Sequence, residues 1–338
     1  MAAYTTIDNP ELYFQCKLYT GNGSDNHAMT FDNTDTSMQP DMVWMKSRTQ
    51  SGYNHYLVDD VRGVTKALRP NLGNDEDTYS DAFKSFDSNG FTLDDDTSNS
   101  EINQNTKTYV AWCWKESATA GFDMVSFSGN ETARTISHSL SAVPHWMMIK
   151  NRDSNFQWVV YHHKNTSAPE TDYLYLSSTD ATADFAGHFN DTAPTSSVFT
   201  VGTDTGVNKN SQNHMNYLWS EVQGFSKFGT YTGNGNADGV FVYTGFRPAF
   251  VITKKTSGTS PWGIHDNKRD PFNEVDELLE ADTNAALSDS TYGKDFLSNG
   301  FKIRTSSAGV NGDGNTFVYI AFAEAPFVNS NGVPGNAR

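Results

Sequence analysis

Pro40–Lys46 reads PDMVWMK, and the same pattern returns as PHWMMIK at Pro144–Lys150 and as PAFVITK at Pro248–Lys254. Each later proline lies 104 residues beyond the one before. A fixed offset of this kind marks an internal repeat. The stretch itself reads as an apolar core strand opened by a proline, a position where a missing amide is tolerated. Its lysines, Lys46, Lys150 and Lys254, are expected where each strand leaves the core. The chain counts to three.

Other landmarks keep step. LYTGNG (Leu18–Gly23), SFSGN (Ser126–Asn130) and TYTGNG (Thr230–Gly235) open the three copies. SNGF stands at Ser88–Phe91 and Ser298–Phe301, and the second copy keeps Phe199. Eighteen residues after each of these phenylalanines comes Tyr109, Tyr217 or Tyr319, with Asn105, Asn213 or Asn315 four residues before the tyrosine. The gap from Gly21 to Pro40 is nineteen residues, against fifteen from Gly129 to Pro144 and from Gly233 to Pro248, so the first copy carries an insertion.

A chain of 338 residues is long for one core and comfortable for three of about 100 each. Asn-Gly and other turn signals separate short apolar and aromatic runs, a composition of strands rather than helices. Only ADTNAALS in the third copy has a helical period. The expected fold is all-β: three tandem β-sandwich repeats, with apolar first and last strands that lie side by side as in a jelly roll. The parts are an N-terminal arm (1–12), repeats at 13–116, 121–222 and 224–327, and a tail (328–338). The linkers are so short that the repeats must form a compact row or a pseudo-threefold cluster. Trp158 and Trp262, eight residues after their copy's lysine, are expected to pack between sheets.

A formal charge of −16 disfavours nucleic acid and anionic membrane surfaces as partners. No apolar run approaches the roughly 18–20 residues of a transmembrane helix, and the first residues lack the basic and apolar regions of a signal peptide. Folding in a reducing cytoplasm is the expectation. Cys16 and Cys113 fall on the first and last strands of the first copy, where two buried thiols or one disulfide would fit.

Chemistry is thinly marked. EVDELLE (Glu274–Glu280) approaches the two-glutamate strand of jelly-roll glycoside hydrolases, but its second glutamate comes too late and Glu277 replaces an apolar residue. No catalytic residue and no enzyme activity are expected. His55, His162, His163 and His265 occupy one strand position across copies without the spacing of a Zn²⁺ site, and half-exposed sheet histidines are expected there. Ca²⁺ is the one cofactor left open, at Asp75–Asp77 and Asp94–Asp96. The turns after the second strand supply the candidate ligand-binding residues: Asp59, Asp60 and Arg62; His162 and His163; Asp266 and Arg269. Loops on a rigid sandwich are where binding residues gather.

AYTTIDNPELYFQCKLYTGNG, QPDMVWMKSR, the DDVRG turn, FDSNGF and TYVAWCWK together resemble repeats of marine bacteriophages, cyanophages in particular. Such repeats belong to structural, fibre-like or concanavalin A-like lectin proteins. The likeness is close in the first copy, good in the third and degraded in the second. It implies a virion protein, made in the host cytoplasm, with jelly-roll domains. Its implied partners are other virion proteins, further copies of itself (a trimer among the options) and a host-surface glycan or receptor. A fibre, spike or adhesin is the first expectation, anchored through Met1–Leu12. A capsid decoration or tail-adaptor protein is the alternative.

Overall fold

Every residue of the strand Met42–Ser47 is buried, as is every residue of Trp146–Asn151. In a third strand, Phe246–Lys255, the run from Pro248 to Lys254 is buried throughout. A strand that hides one face alternates; these runs do not alternate because both faces are covered. Met42 and Trp44 enter one apolar cluster, and Val43 and Met45 enter another. Trp146 and Met148 join the first cluster, while Met147 and Ile149 form a third. Phe250 and Ile252 join the first as well. That first cluster is shared by three segments of chain and contains all seven tryptophans.

The computed structural model describes residues 4–32 and 36–335, and the protein is all-β, with only one-turn helices such as Ala186–Phe189 and Ala308–Asn311. Within 13–116 the sheet runs Phe14–Thr20, Thr108–Trp114, Met42–Ser47, Tyr56–Asp59. Within 121–222 it begins Phe122–Ser128, Asn213–Trp219, Trp146–Asn151, Val159–His162. Within 224–327 it begins Ser226–Thr232, Thr316–Pro326, Phe246–Lys255, Gly263–Asp266. In each case the opening strand pairs antiparallel with the closing strand, and the closing strand with the proline-led one. A smaller sheet of His27–Thr30, Gly90–Leu93 and Phe83–Asp87 covers the outer face of the first segment. Gly90 of SNGF sits at φ +131°, where a Cβ would fall 1.9 Å from the Met29 carbonyl oxygen. Only glycine fits there.

Hydrogen bonds join the segments in a closed circle. Glu76 N donates to Arg152 O (2.8 Å), Thr182 N to Thr256 O (3.1 Å) and Leu287 N to Arg48 O (2.8 Å). These link first to second, second to third, and third back to first. Trp158 Nε1 donates to Arg69 O and Trp262 Nε1 to Tyr175 O, both at 2.9 Å. His55 completes this set: its Nδ1 accepts from Trp44 Nε1, which leaves Nε2 to donate to Glu280 O at 2.9 Å. Of the two arrangements left open by the short linkers, the segments take the cluster. Trp158 and Trp262 join neighbouring segments rather than the two sheets of one.

Several expectations are corrected. Lys46, Lys150 and Lys254 do not mark an exit from the core; all three are buried, and burial lowers them to about 8, 7 and 8. Their ammonium groups serve backbone carbonyls, including Gly73 O for Lys150 and Thr179 O for Lys254 across segment boundaries. ADTNAALS forms no helix; turn and loop lead from it into the strand Ser288–Leu297. The tyrosines eighteen residues after Phe91, Phe199 and Phe301 are not equivalent in register. Trp44, Met148 and Ile252 face Trp112, Tyr217 and Ile320, so Tyr109 corresponds to His214 and Phe317. The loops before the closing strands differ in length, which shifted the match.

The arm is not free. Ile7 is buried in the shared cluster, Thr5 Oγ1 donates to Gln223 O at 2.7 Å, and Asp8 bonds Ser330 of the tail. Met1–Ala3, the last three residues of the tail and 33–35 of the inserted loop lie outside the described residues. Cys16 and Cys113 are both free and buried, one in the shared cluster and the other in the first segment's own. They occupy adjacent positions on paired strands and face opposite ways.

Candidate functional site

The turn residues expected on the surface are mostly inside. Asp59 is fully buried; it takes Arg62 N at 2.9 Å, Arg62 Nε at 2.5 Å and the Tyr217 hydroxyl of the second segment at 2.6 Å. Arg62 also donates to Leu57 O and to Glu76, which in turn binds Arg152 of the second segment. Asp266 and Arg269 repeat the motif, and Trp112 Nε1 of the first segment donates to Asp266 at 3.0 Å. His162 holds the same register position without charge: Nδ1 accepts from Lys164 N, so Nε2 donates to Tyr319 O of the third segment at 3.2 Å. Burial, then neighbouring His163, lowers it to about 3. These five are struts between segments, not loop ligands. A D-D-V-R-G run looks like a solvated turn, but here Asp59 and Arg62 pair with each other inside the protein and Asp59 also takes a hydroxyl from the adjoining segment. Asp60 is exposed and His163 half-buried.

His55 and His265 are likewise buried rather than half-exposed, and burial holds both well below the usual imidazole value. Several of the acidic residues considered for Ca²⁺ are engaged within the chain. Asp77 meets Arg69, Asp94 meets Lys84, and Asp96 accepts from Ile102 N and Asn103 N. Among the described residues no group of three or more His, Cys, Asp or Glu is arranged around a metal position. In the Glu274–Glu280 stretch, Glu277 pairs with Arg48 at 3.2 Å.

Beside each strut, where a closing strand ends, a four-residue constellation recurs. At the first junction Glu116 N donates to Asp41 Oδ2 (2.7 Å), and Met124 N donates back to Glu116 Oε1 (3.1 Å). At the second, Glu221 N donates to His145 Nδ1 (2.9 Å), and Phe228 N to Glu221 Oε1 (3.0 Å). Asp60 and His163 fill the third place, each held by its backbone to Asp41 O or His145 O. Asp123 and Lys227 fill the fourth; Lys227 binds Glu221 at 2.8 Å. At the junction of third and first segments the same places hold Glu324, Ala249, Asn267 and Gln15 around a pocket of about 70 Å³. The three sites share a backbone and differ in chemistry.

The second junction is the open one. A cleft of about 450 Å³ there is lined by Tyr4, His145, Glu221, Gln223, Lys227 and Tyr243 among others. It adjoins a shallower one of about 340 Å³ that shares Tyr4, Glu221 and Gln223 and adds Thr6 and Thr119. Tyr243 is 52% exposed on its rim. Tyr4 Oη donates to Gly245 O (2.9 Å), so the 3.1 Å contact between the two hydroxyls is a donation from Tyr243. Glu221 is held ionised: burial alone would raise it, but His163, Lys227 and Phe228 N outweigh burial and bring it to about 2. His145, lowered to about 4 by burial and then by His163, is neutral at pH 7 with its proton on Nε2. The cleft thus offers a fixed carboxylate acceptor, a neutral N–H donor, an amide and an aromatic face.

A family model described as Domain of unknown function (DUF7483) matches residues 9–326. The chain belongs to the DUF7483 family. The match takes in all three segments and the last four residues of the arm, so the closed circle lies within the span the family shares. No curated protein matches the sequence.

Two sets of residues in this DUF7483 chain escaped the sequence reading. Asn103, Asn208 and Asn311, all fully buried, pin the opening turns: their side-chain oxygens accept from Asn22 N, Asn130 N and Asn234 N at 3.0–3.1 Å. The signal was Ile-Asn or Val-Asn six residues before the equivalent closing-strand positions Tyr109, His214 and Phe317, not the asparagines Asn105, Asn213 and Asn315. The glutamates Glu116, Glu221 and Glu324 were equally legible as aromatic-x-Glu in WKE, WSE and FAE. Tyr4 and Tyr243 had no such signal, because nothing in the sequence brings the arm to the third segment.

Proposed function

We propose that this chain is a bacteriophage virion surface protein of the fibre, spike or adhesin kind, which holds a host-surface glycan in the cleft at the second junction. In this reading it is three tandem concanavalin A-like jelly-roll repeats of about 100 residues, and it binds without catalysing. Its other partners are virion proteins. The sequence likeness to marine phage repeats supports the virion setting. The observation that carries the binding role is the cleft itself: a half-exposed tyrosine beside a carboxylate, an imidazole and an amide. Sugar sites combine an aromatic platform for the apolar ring face with a few placed polar groups for the hydroxyls.

The test is to label the purified protein and image it on host cells. Saturable binding that falls with Tyr243→Ala supports the adhesin. Virions that incorporate the protein while the protein itself shows no saturable binding would replace this reading with capsid decoration or tail adaptor.

A further inference from the structure

We infer that the cleft at the second junction takes a neutral saccharide, not an acidic one, and that each chain holds one such ligand rather than three. This rests on the glycan-binding reading proposed above. The choice of class follows from the charges at the site. Lys227 is the one lysine or arginine lining the cleft among the described residues, and it is spent on Glu221 at 2.8 Å. Glu221 is ionised and His145 neutral, so a uronate or sulfate would meet a carboxylate with no unengaged cation among the lining residues; Lys164, whose charge reaches His145, stands outside the lining. The chain's formal charge of −16 adds a repulsion that salt screens only beyond about 8 Å. Hydroxyl groups suit the same place. They donate to Glu221 or to the Tyr243 oxygen and accept from His145 Nε2–H, while the Tyr243 ring faces the C–H side of a pyranose.

The number of sites follows from comparing the three junctions. The first junction fills the equivalent places with Asp41, Asp60, Glu116 and Asp123; Asp60 is exposed, and the other three carboxylates turn inward onto Glu116 N, Met124 N and Ser139 N. The third junction leaves a pocket of about 70 Å³, too small for a sugar ring. Neither has a counterpart of Tyr4, since the arm passes once.

The experiment is calorimetric titration of the intact chain at pH 7.5 with neutral hexose oligosaccharides and, separately, with uronic-acid and sulfated oligosaccharides of equal length. The expected result is binding of at least one neutral series with a stoichiometry near one per chain. That affinity should weaken about tenfold or more in Tyr243→Ala and in Glu221→Gln, and the acidic series should give no heat of binding. Circular dichroism on both variants guards against misfolding, and Tyr243→Phe should retain binding because the ring is kept. Binding of acidic series alone overturns the class while the adhesin reading stands. Three equivalents per chain, or binding indifferent to Tyr243→Ala, overturns the assignment to this cleft. No binding by any series, together with no saturable binding to host cells, overturns both.

Discussion

The first and second junctions occupy the same place in the fold and solve it with opposite chemistry. At the first, a charged strut (Asp59 with Arg62 and the Tyr217 hydroxyl) lies beside the carboxylates of Asp41, Asp60, Glu116 and Asp123. At the second, a neutral strut (His162 to Tyr319 O) lies beside His145, His163 and the ion pair of Glu221 with Lys227. The bonds from Glu116 N to Asp41 and from Met124 N to Glu116 correspond to those from Glu221 N to His145 and from Phe228 N to Glu221, so within this constellation the difference is carried by side chains. Shape at these junctions is set by the main chain. Charge is therefore free to diverge, and the second junction has become an open cleft.

The largest expected effect is at the struts. Arg62→Ala strands the buried Asp59 carboxylate and should cost about 3–5 kcal/mol in a urea unfolding titration. His162→Ala removes a neutral donor and leaves Tyr319 O short of one partner, for about 1–3 kcal/mol. The double variant Asp59→Asn with Arg62→Met removes charge and counter-charge together and should recover much of the first loss. Equal losses for the two single variants would show that the charged strut has no special weight.

What the sequence revealed and concealed divides along the same line. The strands around Pro40, Pro144 and Pro248 and the turn at Gly90 were legible, because period, proline and Asn-Gly are local signals. The closed circle was not, because it depends on partners over 150 residues away, such as Trp112 with Asp266 or Tyr217 with Asp59. A buried charge and a solvated one are written with the same letter. Hence Asp59, Arg62, His162, Asp266 and Arg269 read as surface loops while they are interior struts, and Lys46, Lys150 and Lys254 read as exits while they are buried donors. In the same way the cleft escaped notice: its aromatic wall is assembled from Tyr4 and Tyr243, 239 residues apart.

The pH dependence should separate the junctions with a smaller signal. Burial, and next the hydrogen bond to Asp123, raise Glu116 to about 8. A carboxyl raised above its unfolded value costs nothing below about pH 4.5 and its full amount above the folded value, so this junction loosens as pH rises toward 8. His145 and His162, lowered to about 4 and 3, behave in reverse: no cost above about pH 6.5, growing as pH falls toward 4. Melting temperatures should thus fall on both sides of a broad optimum. Asp123→Asn should flatten the alkaline side alone and His145→Gln the acidic side alone, each by about 1–3 °C after solvent screening. A single variant that flattened both sides would break the comparison.

The smallest and sharpest test exchanges one residue between junctions. Asp123→Lys puts an ammonium where Lys227 stands and should give Glu116 the partner that Glu221 has at 2.8 Å. Ser139 N loses its acceptor, but Ser139 is exposed and water can replace it, so the net gain is about 0.5–1 kcal/mol at pH 8. The gain should vanish well below pH 4.5, where Glu116 is protonated in both states. Followed by carbon-detected NMR, the Glu116 midpoint should drop from about 8 yet remain above that of Glu221. Two things hold it up: burial, the largest cause of its rise, is unchanged, and Asp60 still occupies the place that His163 fills beside Glu221. A Glu116 midpoint that did not move would show that burial alone sets it, and that the fourth position of the constellation does not govern its charge.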